Sequence, residues 1–252
     1  QPGCNDKPGA IQVLSVDGGE GPYVFSMDGG ITFLNNSTFG SLAGGQYTLR
    51  VPDVNGCEYE QNVELIAPVE PTIDIAPEIS LAYGDSTMLE ALLNLPMSDL
   101  DTIIWGPLSH LTLTVRPNEV MCRPFKSTRY SVLVIAKNGC EDRAEVLVRV
   151  GDPDIYVPNV FSPSKADGSN DIFQFYARDL VINEIKNFQI FDRWGTQVFA
   201  RDHFLPNDDR TGGWDGRYKG KLLPPGVFSW WAEVELASGE MVQMKGDVTI
   251  VD

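Results

Sequence analysis

Two segments of the chain spell the same pattern 83 positions apart, and this repeat constrains the fold more than any other feature. Tyr47-Thr-Leu-Arg-Val51 is followed by Asn55-Gly56-Cys57, and Tyr130-Ser-Val-Leu-Val134 is followed by Asn138-Gly139-Cys140. In the first copy Tyr47, Leu49 and Val51 alternate with Thr48 and Arg50, which puts the apolar groups on one face of a strand. Tyr130, Val132 and Val134 share a face in the same way. Asn-Gly supplies the positive-φ residues of a tight hairpin turn. A second strand then follows each turn, over Glu58–Leu65 and over Arg143–Val150, the latter with Ala144, Val146, Val148 and Val150 on one face. A period of this length is that of a small β-sandwich, so the repeat predicts tandem modules rather than a short-period solenoid. A tyrosine at the start of the penultimate strand is loosely similar to the tyrosine corner of immunoglobulin-like domains, although the Cys here lies beyond the turn.

The rest of the sequence agrees. The 252 residues include 24 Gly and 17 Pro, which punctuate short runs of Val, Ile, Thr, Tyr and Phe. No long stretch carries apolar residues at the helical spacing. Ala67-Pro-Val-Glu-Pro71 and Gly151-Asp-Pro-Asp154 have linker composition. The expected architecture is therefore all-β, with three tandem immunoglobulin-like β-sandwich modules over residues 1–68, 69–151 and 152–252. Net charge is −16, and residues before and after 150 are both acidic. Neither part offers the basic face that a nucleic-acid backbone requires, so nucleic acid is not an expected partner. No apolar run has the length of a membrane span. The opening Gln-Pro-Gly-Cys has the character of an internal fragment, which places the natural N-terminus elsewhere.

Four cysteines in an acidic β-rich chain point to an oxidising compartment. Within a module, Cys57 has Cys4 as its partner and Cys140 has Cys122. Each bridge would stabilise by roughly 3 kcal/mol, and pairing across modules is the alternative. Residues 1–68 also contain Gly18-Gly19-Glu-Gly21-Pro22-Tyr23-Val-Phe-Ser, Leu42-Ala-Gly-Gly45-Gln-Tyr47 and Asp53-Val-Asn-Gly-Cys57. This resembles the repeats of Bacteroidetes gliding-motility adhesins. Residues 69–151 hold Ile104-Trp105, Cys122-Arg-Pro124, Thr128-Arg-Tyr130 and Asn138-Gly-Cys140, and are similar to the PKD-like or Ig-like modules of such surface proteins, with one Cys where that pattern often carries two.

The last module has the most specific signals. In order they are Pro158-Asn159-Val-Phe161-Ser-Pro163, Asp167-Gly168-Ser-Asn170-Asp171-Ile-Phe173, Phe191-Asp192-Arg193-Trp194-Gly195, Trp214-Asp215-Gly216 and Pro225-Gly226-Val-Phe228. Together they resemble the gliding-motility-associated C-terminal domain, the type B sorting signal of type IX secretion. One residue is inserted between Pro163 and Asp167, and Ser164 stands where that family has Asn. The resemblance implies recognition by the type IX translocon and a PorP/SprF-type outer-membrane protein, followed by surface retention. Trp194 is expected in the core or at a corner. Phe228, Trp230, Ala232, Val234 and Leu236 alternate with polar residues and Trp231, so one of Trp230 and Trp231 must face outward.

Chemistry is sparse. Asp167, Ser169 and Asp171 have the i, i+2, i+4 oxygen spacing of calcium loops, but the frame lacks an acidic twelfth position, and an Asx-type turn is the plainer reading. Calcium is thus the one cofactor the sequence admits. Asp208, Asp209 and Asp215 lie in a Gly/Pro/Asn-rich segment, where carboxylates are ordinarily solvated. The two histidines, His110 and His203, stand far apart, and no H-E-x-x-H, G-x-S-x-G or P-loop pattern occurs. The expectation is a non-enzymatic, secreted part of a surface adhesin or fibre protein, with a sorting module preceded by stalk modules. The alternatives are glycan-binding modules and a subunit of a homo-oligomeric extracellular filament.

Overall fold

Alternating burial along long strands organises the chain, and among the described residues the only helical element is a 3-10 turn, Met97–Asp99. The computed structural model describes residues 1–164, 170–207 and 213–252. The chain divides into two compact units. The first comprises Gln1–Ile75, Glu90–Gly106 and Ser131–Glu145. The second comprises Ala76–Leu89, Pro107–Tyr130 and Val146–Asp252. Residues of the expected middle module therefore fall in both.

In the first unit, Gly45–Pro52 pairs antiparallel with Glu58–Leu65 in a register that sets Tyr47 opposite Val63 and Val51 opposite Tyr59. Leu49, Val51 and Phe25 form a small buried core with Val13, Val16, Tyr23, Met27 and Phe39 packed against it. The Tyr47 hydroxyl donates to the Ala43 carbonyl, 3.0 Å away. The expected cysteine pairs do not form. Cys4 is bonded to Cys140, with Cα atoms 5.4 Å apart, while Cys57 is an exposed free thiol and Cys122 a buried one. The reason lies in three long-range hydrogen bonds. The Ile66 N–H donates to the Gln1 side chain, the Asn5 N–H to Glu70, and Asn138 Nδ2 to the Val69 carbonyl. These bonds bring the first residues, the 66–70 segment and the 138–140 turn together, so Cys140 meets Cys4.

In the second unit five strands form one sheet, in the spatial order Val160–Phe161, Met241–Ile250, Gly226–Leu236, Ile182–Phe191 and Gln197–Phe204. All neighbours are antiparallel except the first pair. Beyond residue 151 there are nine strand segments among the described residues, four long and five of two residues, against about seven expected for a sandwich module. Phe228, Trp230, Ala232, Val234 and Leu236 are buried in the alternation the sequence predicts. Phe173, Phe175 and Trp214, from short facing segments, close over them. Ring centroids lie 5.1 Å apart for Phe175–Phe188, 5.0 Å for Trp214–Phe228 and 6.0 Å for Phe173–Trp230, the spacing of favourable aromatic pairs. One long-stranded layer thus packs against a layer of short pieces, an all-β arrangement of sandwich type. Trp230 stands opposite Gly246. A Cβ at that glycine would sit 3.1 Å from the indole, which is why a residue without a side chain occupies it.

The segment 83–85 belongs to this unit for a visible reason. Tyr83 is buried in the aromatic core and its hydroxyl donates to Ser238 Oγ at 2.8 Å. Arg178 donates to the Tyr83 carbonyl at 3.2 Å and pairs with Asp85 at 3.4 Å.

Candidate functional site

The motifs of the last module separate into those that build the core and those that reach solvent. Pro158, Phe161, Phe173 and Trp214 are buried, the last three with 0% exposure. Phe173 and Trp214 exchange backbone hydrogen bonds of 2.9 and 2.8 Å, which ties the Asn170-Asp171-Ile-Phe173 segment to Trp214-Asp215-Gly216. The indole Nε1–H of Trp214 donates to the Arg217 carbonyl at 3.0 Å, and Asp215 Oδ1 accepts the Arg217 N–H at 3.1 Å. Gly216 has φ of 72° and sits against Pro163. The Asn159 carbonyl accepts from Thr249, and the Asn170 carbonyl from Ser162, so these residues place backbone, while Gly226 opens the long strand Gly226–Leu236. Asp167, Gly168 and Ser169, and with them most of the candidate calcium loop, lie outside the described residues, as do Asp208 and Asp209. Among the described residues no cluster of three or more His, Cys, Asp or Glu is placed to hold a metal ion.

Asp192-Arg193-Trp194-Gly195 does the opposite of burying itself. It forms the hairpin tip between Ile182–Phe191 and Gln197–Phe204, and Trp194 is 83% exposed. The sequence expectation of a core or corner tryptophan is corrected by the turn geometry. The Asp192 N–H donates to the Thr196 carbonyl, and the Gly195 N–H to the Asp192 carbonyl. Asp192 Oδ1 accepts the N–H groups of Trp194 and Thr196, both at 2.8 Å. The Thr196 amide above all, with that of Trp194, holds the Asp192 carboxyl below its usual range. The backbones of Asp192, Trp194, Gly195 and Thr196 are thus pinned, which leaves the Arg193 and Trp194 side chains outside.

The same bond frame recurs at three other hairpins, over Asp53–Cys57, Ala136–Cys140 and Leu236–Glu240. In all four the loop has three residues and only its glycine, Gly56, Gly139, Gly195 or Gly239, takes positive φ. This is a turn followed by a left-handed glycine, not the two-residue turn expected from Asn-Gly, in which both residues would be left-handed. Asp53 repeats the side-chain cap of Asp192, with Oδ1 accepting from Asn55 and Cys57 at 2.9 and 2.8 Å. Sequence reasoning missed this equivalence, although D-x-x-G at both sites carries it.

A shallow depression beside the tip is lined by Phe191, Ser229, Trp231, Lys245 and Asp247. Trp231 is half-buried there, pointing away from the core as strand alternation requires. On the same sheet, Lys186 bridges Glu184 and Glu235, and His203 Nδ1 lies 2.9 Å from Glu184. The Lys186 ammonium, then His203, lowers the Glu184 pKa. Lys186 and Asn183 lower that of Glu235, and Glu184 with Glu235 raises that of Lys186. This network ties neighbouring strands together across the sheet surface. Asp28, in the first unit, collects donors from Thr32, Ser26 and Ile31 and has its pKa strongly lowered by them, a loop clasp that the sequence did not reveal. Burial pushes the Cys122 thiol upward, as suits an inert core cysteine.

Residues 155–250 match the family described as CHU_C Type IX secretion signal domain. That span is less than half of the chain, and it contains the Asp192–Gly195 tip and the Trp214 core. A type IX secretion signal implies export, with a secreted or surface location. No curated protein matches the chain. Among solved structures, Sidekick-1 immunoglobulin domains 1–5 are 16% identical with a TM-score of 0.29, over 97% of this chain and 57% of that one. The three N-terminal domains of the bacteriophage RB49 highly immunogenic outer capsid protein are 12% identical with a TM-score of 0.31, over 91% of this chain and 88% of that one. Titin domains I67–I69 are 10% identical with a TM-score of 0.34, over 92% and 88%. The chain spans little more than half the length of the Sidekick-1 fragment, and overlaps at these TM-scores say nothing about function. No helix among the described residues is long and apolar enough to cross a membrane.

Proposed function

We propose that residues 152–252 are an export label that the type IX machinery reads as a folded domain, and that the modules at 1–68 and 69–151 form a stalk. The protein in this reading is a non-catalytic part of a gliding-motility-type surface adhesin, delivered by the translocon and retained through a PorP/SprF-type outer-membrane partner. The observation that carries it is the division of labour inside one family-matched region. Phe161, Phe173 and Trp214 are spent on the core, while Arg193 and Trp194 are held outward on a backbone-pinned tip. An exposed indole beside a guanidinium is the kind of group that anchors a protein interface. Recognition of a shaped surface also fits the scatter of motifs over residues 158–228, which no linear peptide reader would span.

The test is a fusion of residues 152–252 to a periplasmic reporter in a host carrying the matching membrane partner. The fusion should reach the surface, and Trp194→Ala should hold it in the periplasm while leaving it folded. A reporter that never leaves the envelope sinks the export reading. Normal export of the Trp194→Ala fusion sinks the role of the tip.

A further inference from the structure

We infer that the first unit carries a cleft for a neutral sugar residue of an extracellular glycan. This goes beyond the export reading and rests on no part of it, so either can fail alone. The cleft has a volume of about 410 Å³ and lies between the 13–19 segment and the apolar face of the hairpin Gly45–Pro52 with Glu58–Leu65. That volume is within the roughly 300–1,000 Å³ of small-ligand sites. Leu49 and Val51 make its floor, and Tyr23 a wall whose hydroxyl is fixed on the Gly18 carbonyl at 2.8 Å. Tyr59 stands at the mouth with 57% of its surface exposed, its hydroxyl 3.3 Å from Gln61 Oε1.

Three features point to a sugar rather than to another small molecule. An exposed tyrosine ring over an apolar floor matches the C–H face of a pyranose. Ser15, Asp17, Gln61 and the Tyr59 hydroxyl around the rim supply both donors and acceptors for its hydroxyls. The lining includes Asp17, Asp53 and Glu58 but no Lys, Arg or His, which disfavours uronic acids, phosphates and sulfates by like charge. Asp53 is not free to act as a counter-ion. Its oxygens accept the N–H groups of Asn55, Cys57 and Glu20. Glu58 faces Arg50 at 3.7 Å. That leaves the Asp17 carboxylate as the single unpaired charge of the lining among the described residues, too little to favour a polycation over a neutral polyol.

The exposed Cys57 thiol lines the same cleft and serves as a reporter, since the other free thiol, Cys122, is buried. The experiment measures the rate of maleimide labelling of Cys57 in the 252-residue chain with cellotriose, N-acetylglucosamine trimer, trigalacturonate or trilysine as probe. At about 10 mM, roughly ten times a millimolar dissociation constant, a neutral trimer should slow labelling about tenfold, and trigalacturonate should not. Tyr59→Phe should keep the protection and Tyr59→Ala lose it, with unchanged circular dichroism for both. Protection by trilysine alone, protection by neither neutral trimer, or protection that survives Tyr59→Ala overturns the assignment.

Discussion

Replacing Trp214 by alanine should loosen the second unit by about 4 kcal/mol, the middle of the range for removing a fully buried tryptophan. The magnitude follows from its surroundings. The side chain has no exposed surface, its ring lies 5.4 Å from Phe161 and 5.0 Å from Phe228, and its N–H is bonded to the Arg217 carbonyl. Phenylalanine at the same position keeps the ring contacts and gives up the hydrogen bond, for about 1 to 2 kcal/mol. Alanine at Trp194 removes a side chain that is 83% exposed and should change stability by less than about 0.5 kcal/mol. Hydrogen exchange followed by mass spectrometry on the whole chain reads this locally. Amides of Ile182–Phe191 and Gly226–Leu236 that exchange through opening of the sheet should speed up about a thousandfold in Trp214→Ala, since about 1.4 kcal/mol is a factor of ten. If Trp214→Ala accelerates them less than about threefold, or if Trp194→Ala matches it, the assignment of one tryptophan to the core and the other to recognition is wrong.

Other outcomes follow from the same structure. Replacing Cys4 and Cys140 together by serine opens a link with a sequence separation of 136, and on the chain-entropy model should lower stability by about 5 kcal/mol in urea unfolding; a loss below about 1 kcal/mol would contradict it. Iodoacetamide should modify Cys57 in the native chain and Cys122 only after denaturation, as peptide mapping can check. Gly246→Val must displace the Trp230 indole and should cost about 1 to 3 kcal/mol, visible as a shift in tryptophan emission. Glu184 and Glu235 have lowered pKa values and Lys186 a raised one. The carboxylates contribute stability above their unfolded pKa that is lost as pH falls through the folded one. Lys186 contributes stability below its unfolded pKa that is lost as pH rises through the folded one. Lys186→Met should therefore flatten the stability profile at both the acidic and the alkaline end, measured by thermal melts across pH.

Local periodicity carried most of the strands. The buried faces of 128–136, 226–236 and 241–250 follow directly from alternation, because each strand has one wet side and one dry side. Partnering was harder to read. Cys140 pairs with Cys4 because of hydrogen bonds around 66–70 and 138, which join segments far apart in sequence and carry no periodic signal. Tyr83 looks like any apolar residue of a middle module, yet it is buried with the aromatic core of the last module and bonds to Ser238. Within the candidate site, the motif residues were visible but their directions were not. Trp194 and Trp214 are both tryptophans beside aspartate and glycine, and the difference lies in backbone bonds. Trp214 is drawn inward by its pairing with Phe173, while Trp194 sits in a loop capped by Asp192.

The bond between Cys4 and Cys140 gives the first half of the chain an unusual tolerance of cutting. A protease that severs one peptide bond anywhere between those positions produces two pieces that remain one molecule until a reductant is added. On a gel the nicked protein would keep its full mass without reductant and split with it. For an exported molecule, a cut in a loop such as 114–118 need not separate the residues before it from the secretion signal that follows.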